Sequence, residues 1–293
     1  CPGALDAIER EIEEGVIVSL TRIEPPLHPD GPEKILLNCG VEPEEFKEEV
    51  VLDWVSKYSD TDKLTEGIFA PWAFYVKEFQ AIGGHDPLYA PQSKEDSDIF
   101  NRFLLNGIKF KQVWDGFVYH MTCRGSRRNV KDKAKNIYED SPEWLAQNQR
   151  STRNFIRKWG HFVKHDSLMK PIVPNKYNVG FWVHNCNQTL LHALEPWCDF
   201  INVLEISDKE VKDYIEKEQP NTRIPIADKI NTYKEVDVFV KIDSKTFTSD
   251  DYNIIQQLSE ILDDSGAIGA FELGNLFINI REYRTYTQKL INL

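Results

Sequence analysis

The sequence predicts an α/β protein built in two parts, and three observations carry that prediction. Short β-branched or aromatic runs at residues 16–20, 177–183, 200–206 and 236–242 alternate with stretches of helical period, the pattern of sheets layered with helices. The chain has 293 residues, more than one ordinary domain holds and enough for two. The run Pro171-Ile172-Val173-Pro174-Asn175 interrupts the pattern where neither helix nor strand can continue. The expectation is a first domain over residues 1–170, a linker at 171–175 and a smaller α/β layer domain over 176–293.

Each element has its own warrant. Residues 4–14 carry a helical pattern that Gly15 closes, and Val16-Ile17-Val18-Ser19-Leu20 reads as a buried strand. The loop from Glu24-Pro25-Pro26 to Gly31-Pro32 is too rich in proline for regular structure. Residues 43–58 predict a helix, because Phe46, Val50, Val51 and Trp54 recur at helical spacing and Pro43 costs nothing at a first position. A helical turn follows at 72–79, then a turn at Gly83-Gly84. Residues 96–106 predict a helix through Ile99, Phe103 and Leu104, stopped by Gly107. Residues 110–120 predict one or two strands, with Asp115-Gly116 as a hairpin signal. Residues 143–159 predict an amphipathic helix through Trp144, Phe155 and Trp159. Beyond the linker, strands at 177–183, 200–206, 236–242 and 271–280 alternate with helices at 188–194, 208–218 and 250–263.

Composition removes several classes of function. Hydrophobic residues at 41%, with seven Trp, can fill sizeable cores and exclude wholesale disorder. The net charge of -12 argues against general nucleic-acid binding, which runs on clustered Lys and Arg. Residues 121–170 are nonetheless locally basic, with twelve Lys and Arg against five Asp and Glu. No apolar run has the length of a membrane span. Five scattered Cys show no metal spacing and read as reduced thiols of a cytoplasmic protein. His184, Asn185, Cys186 and His192 lie close in sequence, but without a second paired motif they read as a strand-to-helix connection.

The densest chemistry is Gly83-Gly84-His85-Asp86-Pro87, then Lys94-Glu95-Asp96-Ser97-Asp98, Arg102, Gly107 and Val118-Tyr119-His120. Three carboxylates within four residues sit where a loop enters a helix. In the plain reading they stabilise an acidic first turn, with Asp96 or Ser97 as cap and Arg102 pairing with Asp98. In the functional reading one carboxylate faces a cleft and takes a proton from an acceptor hydroxyl. A general base needs an ionised oxygen on a rigid element, and a neighbouring acid raises its pKa towards neutrality. Cys123-Arg124-Gly125-Ser126-Arg127-Arg128 combines guanidinium forks, a hydroxyl and glycine, a composition suited to phosphate or to a solvated basic loop.

The ordered set Gly-Gly-X-Asp, Glu-Asp-X-Asp-X-X-X-Arg, Gly and a strand ending Tyr-His resembles the second half of family 2 glycosyltransferases. The resemblance spans about residues 1–128 and is most specific over 82–120. It implies a partial A-type nucleotide-sugar fold, a mixed sheet flanked by helices, and inverting transfer from a nucleoside-diphosphate sugar to a glycan or other hydroxyl acceptor. It implies Asp96 as the base and Glu95 shaping the site, with Asp98 and Arg102 an internal pair. Arg124, Ser126, Arg127 and Arg128 would lie near the donor diphosphate. Glu66, Trp72, Gly83 and Gly84 would line the acceptor or sugar pocket, and His120 would reach the metal or the diphosphate.

The implied cofactor is a divalent cation, Mn²⁺ or Mg²⁺, held mostly by an Asp-X-Asp motif upstream of this region. Asp60-Thr61-Asp62 and Asp96-Ser97-Asp98 do not follow an apolar strand as that motif does. Cys1-Pro2-Gly3-Ala4-Leu5 resembles the start of the helix just after the motif, so the expectation is a chain that begins downstream of it and is inactive alone. A non-catalytic carbohydrate-binding or assembly protein on a degenerate transferase fold is the alternative. A metal-dependent hydrolase built on the Asp, Glu and His set comes last, for want of a His-rich ligand spacing.

Overall fold

A computed structural model describes residues 1–27, 29–121 and 140–292. The basic loop with Arg124, Ser126, Arg127 and Arg128 lies outside the described residues. Among those described, ten strands form two mixed sheets flanked by helices, an α/β arrangement.

The first sheet is centred on β1 (Val16–Glu24), buried at all nine positions, as a strand covered on both faces must be. Helix α1 (Ala4–Glu11) precedes it and packs Ala4 and Ala7 against Val16, Val18 and Leu20. Strand β2 (Lys34–Leu36) runs parallel to β1. The helix expected over 43–58 is shorter: a 3-10 turn at Pro43–Glu45 is followed by α2 (Glu48–Tyr58). The break falls at Lys47, whose amide donates to the Cys39 carbonyl at 2.9 Å and so cannot serve a continuous helix. Strand β3 (Leu64–Thr65) is followed by β4 (Trp72–Ala73), which pairs with Ser19 and Val18 of β1. The expected helical turn at 72–79 therefore opens as a strand, and α3 (Val76–Ala81) starts later. Helix α4 (Glu95–Leu105) leads into β5 (Lys109–Tyr119), parallel to β1.

Asp115-Gly116 makes no hairpin. Val113 pairs with Leu20 and Phe117 with Thr21, so residues 114–116 are looped out and the strand continues in the same direction. A Cβ on Gly116 would lie 2.7 Å from Leu20 Cδ2 and 2.9 Å from Ala7 Cβ. Glycine is needed there because α1 crosses the bulge.

Helix α5 (Pro142–Trp159) leads to the second sheet, in which β6 (Val179–His184), β7 (Phe200–Val203) and β8 (Val238–Asp243) are parallel in the order β7-β6-β8. Helices α6 (Gln188–Leu194) and α7 (Asp208–Glu218) connect them. The helix expected at 250–263 divides at Gln257 into α8 (Ser249–Gln256) and α9 (Leu258–Ser265). The strand expected at 271–280 is a hairpin, β9 (Gly269–Leu273) and β10 (Leu276–Ile280), turned at Gly274 with φ 58°. Phe181, Val183, Leu191, Leu194, Val240 and Ile278 are fully enclosed in its core.

Helix α5 touches both sheets' surroundings. Towards the first, Trp159 Nε1 donates to Asp98 at 2.9 Å and Lys158 Nζ lies 2.6 Å from the same carboxylate. Towards the second, Arg157 pairs with Glu195 and Glu218, both at 2.5 Å, and Glu195 also takes Lys229 at 2.6 Å. Among the described residues, no helix is long and apolar enough to cross a membrane.

Candidate active site

Helix α4 begins in an unusual way. Ser93 and Lys94 both adopt left-handed backbone, with φ 77° and 71°, a conformation that costs non-glycine residues about 1–3 kcal/mol each. Ser93 Oγ donates to Asn148 Oδ1 of α5 at 2.8 Å, which helps hold the turn. Lys94 occupies the N-cap position with no side-chain cap bond, so neither Asp96 nor Ser97 caps the helix. The 3.6-residue period then sorts the side chains. Asp98, Ile99, Arg102 and Phe103 face the core, while Asp96, Ser97, Phe100 and Asn101 border a cavity of about 180 Å³.

The core-facing pair is structural, as the spacing suggests. Arg102 reaches Asp98 at 2.7 Å with both side chains fully buried, and its Nη1 donates to the Ile82 carbonyl at 2.5 Å. That bond ties α4 to the Gly83-Gly84 turn. Gly84 donates to Phe79 O at 2.9 Å in left-handed backbone, so the two glycines close α3.

On the cavity side, no described residue donates a hydrogen bond to Asp96. Its pKa is raised to about 6, first by burial and then by the Glu95 charge, with His85 pulling it back. Glu95 borders the same cavity, and its Oε2 is buried without a hydrogen-bond partner among the described residues. Asn101 is 3% exposed, and its Nδ2 has no partner either. A buried donor left unpaired costs about 1–3 kcal/mol, so this asparagine is an expensive choice beside Phe100 and Phe103.

The opposite wall was not legible in the sequence. Val163, Lys164, His165, Met169 and Pro171, from the stretch after α5, face the acids. This wall is a closed loop: Ile172 N donates to Lys164 O at 3.0 Å and Asp166 N to Lys170 O at 2.9 Å. Asp166 Oδ1 accepts from the Leu168 and Lys170 amides inside it. Lys164 pairs with Glu260 of α9, which anchors the wall to the second half of the chain.

His120 does not border this cavity. Its Nδ1 lies 2.8 Å from Glu24 Oε1, at the C-terminal ends of β5 and β1. Arg22 joins Glu24 at 2.7 Å and stacks over the Phe69 ring at 3.7 Å, and Phe69 borders the acid cavity. A chain of three side chains thus links His120 to the cavity. Burial works to raise the Glu24 pKa, but His120, Arg22 and Lys34 together outweigh it and hold it low. Glu24 Oε2 is buried without a hydrogen bond among the described residues, and faces Lys34 Nζ at 3.6 Å. No three His, Cys, Asp or Glu among the described residues converge on one point.

The remaining predicted residues sit elsewhere. Glu66 pairs with Lys170 and borders a separate groove with Leu104 and Lys111. Trp72 is half-buried and packs edge-on against Phe100 at 4.6 Å, behind the cavity. Asn101 could have been noticed as the one amide within Ile99-Phe100-Asn101-Arg102-Phe103; nothing in the sequence marks residues 163–171 as a wall.

In the second half, Cys186 is buried with its pKa pushed up to about 11 by that burial, and Asn187 caps α6. That connection is a strand-to-helix turn, as expected. The chain matches no protein-family model and no curated protein sequence.

Proposed function

We propose that the protein is an inverting glycosyltransferase that moves a sugar from a nucleoside-diphosphate donor to an acceptor hydroxyl. The observation that carries this reading is the Asp96 carboxylate. It stands on the first turn of a braced helix, is free of any cap bond, borders a cavity and titrates at about 6. A carboxylate of that pKa is ionised at neutral pH and accepts a proton more readily than an ordinary aspartate.

In this mechanism Asp96 takes the proton of the acceptor hydroxyl as its oxygen bonds to the anomeric carbon. The bond from that carbon to the diphosphate oxygen breaks on the opposite face, and the diphosphate leaves with the electron pair. Glu95 keeps Asp96 basic through its charge. The resemblance in the sequence places the leaving diphosphate towards the ends of β1 and β5, where Arg22, Lys34 and His120 gather. Arg124, Ser126, Arg127 and Arg128 follow directly in sequence and belong to the same proposal. A divalent cation, when bound, would neutralise charge on the leaving group, and His120 with the Glu24 carboxylate, whose Oε2 now faces Lys34, are the described donors that would hold it.

The test is release of nucleoside diphosphate from a panel of nucleotide sugars with Mn²⁺, by the full-length gene product and its Asp96→Asn variant. Removing a general base is expected to slow turnover by roughly 10²–10⁴-fold. No turnover with any donor, together with metal-independent glycan binding, would replace this reading with that of a carbohydrate-binding protein.

A further inference from the structure

The second sheet has two unlike faces. Helices α5 to α9 all pack on one of them, where Ile156, Leu191, Tyr214, Ile255 and Leu262 share a core with Val240. Side chains alternate along a strand, so Trp182, Phe239 and Phe277 point the other way. Neither they nor Phe200 belong to any of the buried cores. In register across the five strands, Asn202, Trp182, Lys241, Phe277 and Glu272 form one row of this second face. Phe200, Gly180, Phe239 and Asn279 form the next. Gly180 gives the indole room, because a Cβ there would lie 2.9 Å from Trp182 Cζ3. The indole therefore leans along its strand over Gly180, 5.0 Å from the Phe200 ring and 4.5 Å from that of Phe239. Phe277 extends the aromatic surface, 6.4 Å beyond Phe239. Lys241, in the middle of it, is exposed, and Trp182, Phe239 and Phe277 are part-exposed.

Size and charge narrow what covers this face. Five strands at the usual spacing and three side-chain rows make a surface on the order of 300 Å². A stable protein complex, a second copy of this chain included, buries roughly 800 Å² per partner, so the face is too small for one. Single-stranded nucleic acid also stacks on aromatic rings, but it needs an excess of positive charge. Here Lys241 and Arg281 are offset by Asp243 and Glu272 on the same face, and Arg281 already lies over the Phe239 ring at 5.8 Å. A lipid surface would have to strip water from Lys241, Asn202 and Asn279, which interrupt the aromatic rings. A neutral sugar chain suits all three features. Its C–H faces lie against the negative faces of aromatic rings, and its hydroxyls accept from an ammonium and exchange hydrogen bonds with amides.

We infer that the helix-free face of the second sheet is a binding platform for a neutral oligosaccharide chain, with Trp182, Phe239 and Phe277 as the stacking surface and Lys241, Asn202 and Asn279 as its hydrogen-bonding groups. This platform lies outside the cavity beside Asp96 and does not depend on the transferase reading. None of the side chains of Lys241, Asn202 and Asn279 is engaged by a described residue, so all three are open to a ligand in the protein as it stands.

The experiment is calorimetric titration of the full-length protein with neutral hexasaccharides of glucose (α-1,4 and β-1,4), mannose and N-acetylglucosamine, beside a single-stranded oligonucleotide and the diphosphate-release assay. Saturable binding of at least one hexasaccharide is expected, insensitive to salt and weakened about tenfold or more by Trp182→Ala, the loss of one stacked ring. Because Trp182 is part-buried, the exposed Lys241→Ala serves as a second variant and is expected to weaken binding about tenfold without disturbing the sheet. No binding to any hexasaccharide, or binding that neither variant moves, would overturn the platform. Binding to the oligonucleotide alone, falling steeply between about 50 and 200 mM salt, would overturn it in favour of a nucleic-acid surface. Hexasaccharide binding that both variants weaken, with no diphosphate released from any nucleotide sugar, would keep the platform and overturn the transfer reading.

Discussion

At the scale of single residues, Asp96 is held in a state that works against the fold. Its pKa of about 6 lies above the 3.8 of an ordinary aspartate, with burial the main cause. The sign follows from that direction. A group whose folded pKa is raised is neutral at no cost below pH 4, and its stabilising contribution is lost as pH rises through 6. At pH 8 the ionised carboxylate costs about 1–3 kcal/mol. Asp96→Asn is therefore expected to melt higher than the parent at pH 8 and to melt with it below pH 4, as read by calorimetry. In the transfer assay, kcat/KM should fall with decreasing pH below about 6, because the protonated acid cannot act as a base.

Among elements, α4 shows how far a sequence can be read. Its extent was legible from periodicity and its Asp98–Arg102 pair from spacing, because both are local to one helix. The Asn101 orphan was not, since an unmatched amide is visible only once its neighbours are in place. The same limit explains Asp115-Gly116, where a turn signal was overruled by long-range pairing of β5 with β1 on both sides of the bulge. Two measurements address these elements. Arg102→Leu leaves Asp98 buried with fewer positive partners and is expected to cost about 3–5 kcal/mol in urea unfolding. Gly116→Ala forces a methyl against Leu20 and Ala7 and is expected to cost about 1–3 kcal/mol by the same measurement.

For the whole molecule, the α/β class, here as two sheets, was legible because alternation of strands and helices is a property of the chain itself. What ties the parts was not. Glu195 takes Arg157 of α5, Tyr214 of α7 and Lys229 of a turn; burial pushes its pKa up, but Lys229 and Arg157 outweigh it and leave the carboxyl far below the usual range. A depressed carboxyl contributes stability above pH 4 that is lost as pH falls. Glu195→Gln is expected to flatten the acid side of the stability curve and to split a single unfolding transition into two.

The cavity beside Asp96 has its acids at residues 95 and 96 and its far wall at 163–171, some seventy positions later in the chain. During synthesis the acidic helix leaves the ribosome long before the surface that faces it. The pocket comes into being only once Pro171 has been added and the wall has closed. Until then Glu95 and Asp96 remain open to water, and the nascent protein carries two acids at a helix start with no wall to enclose them.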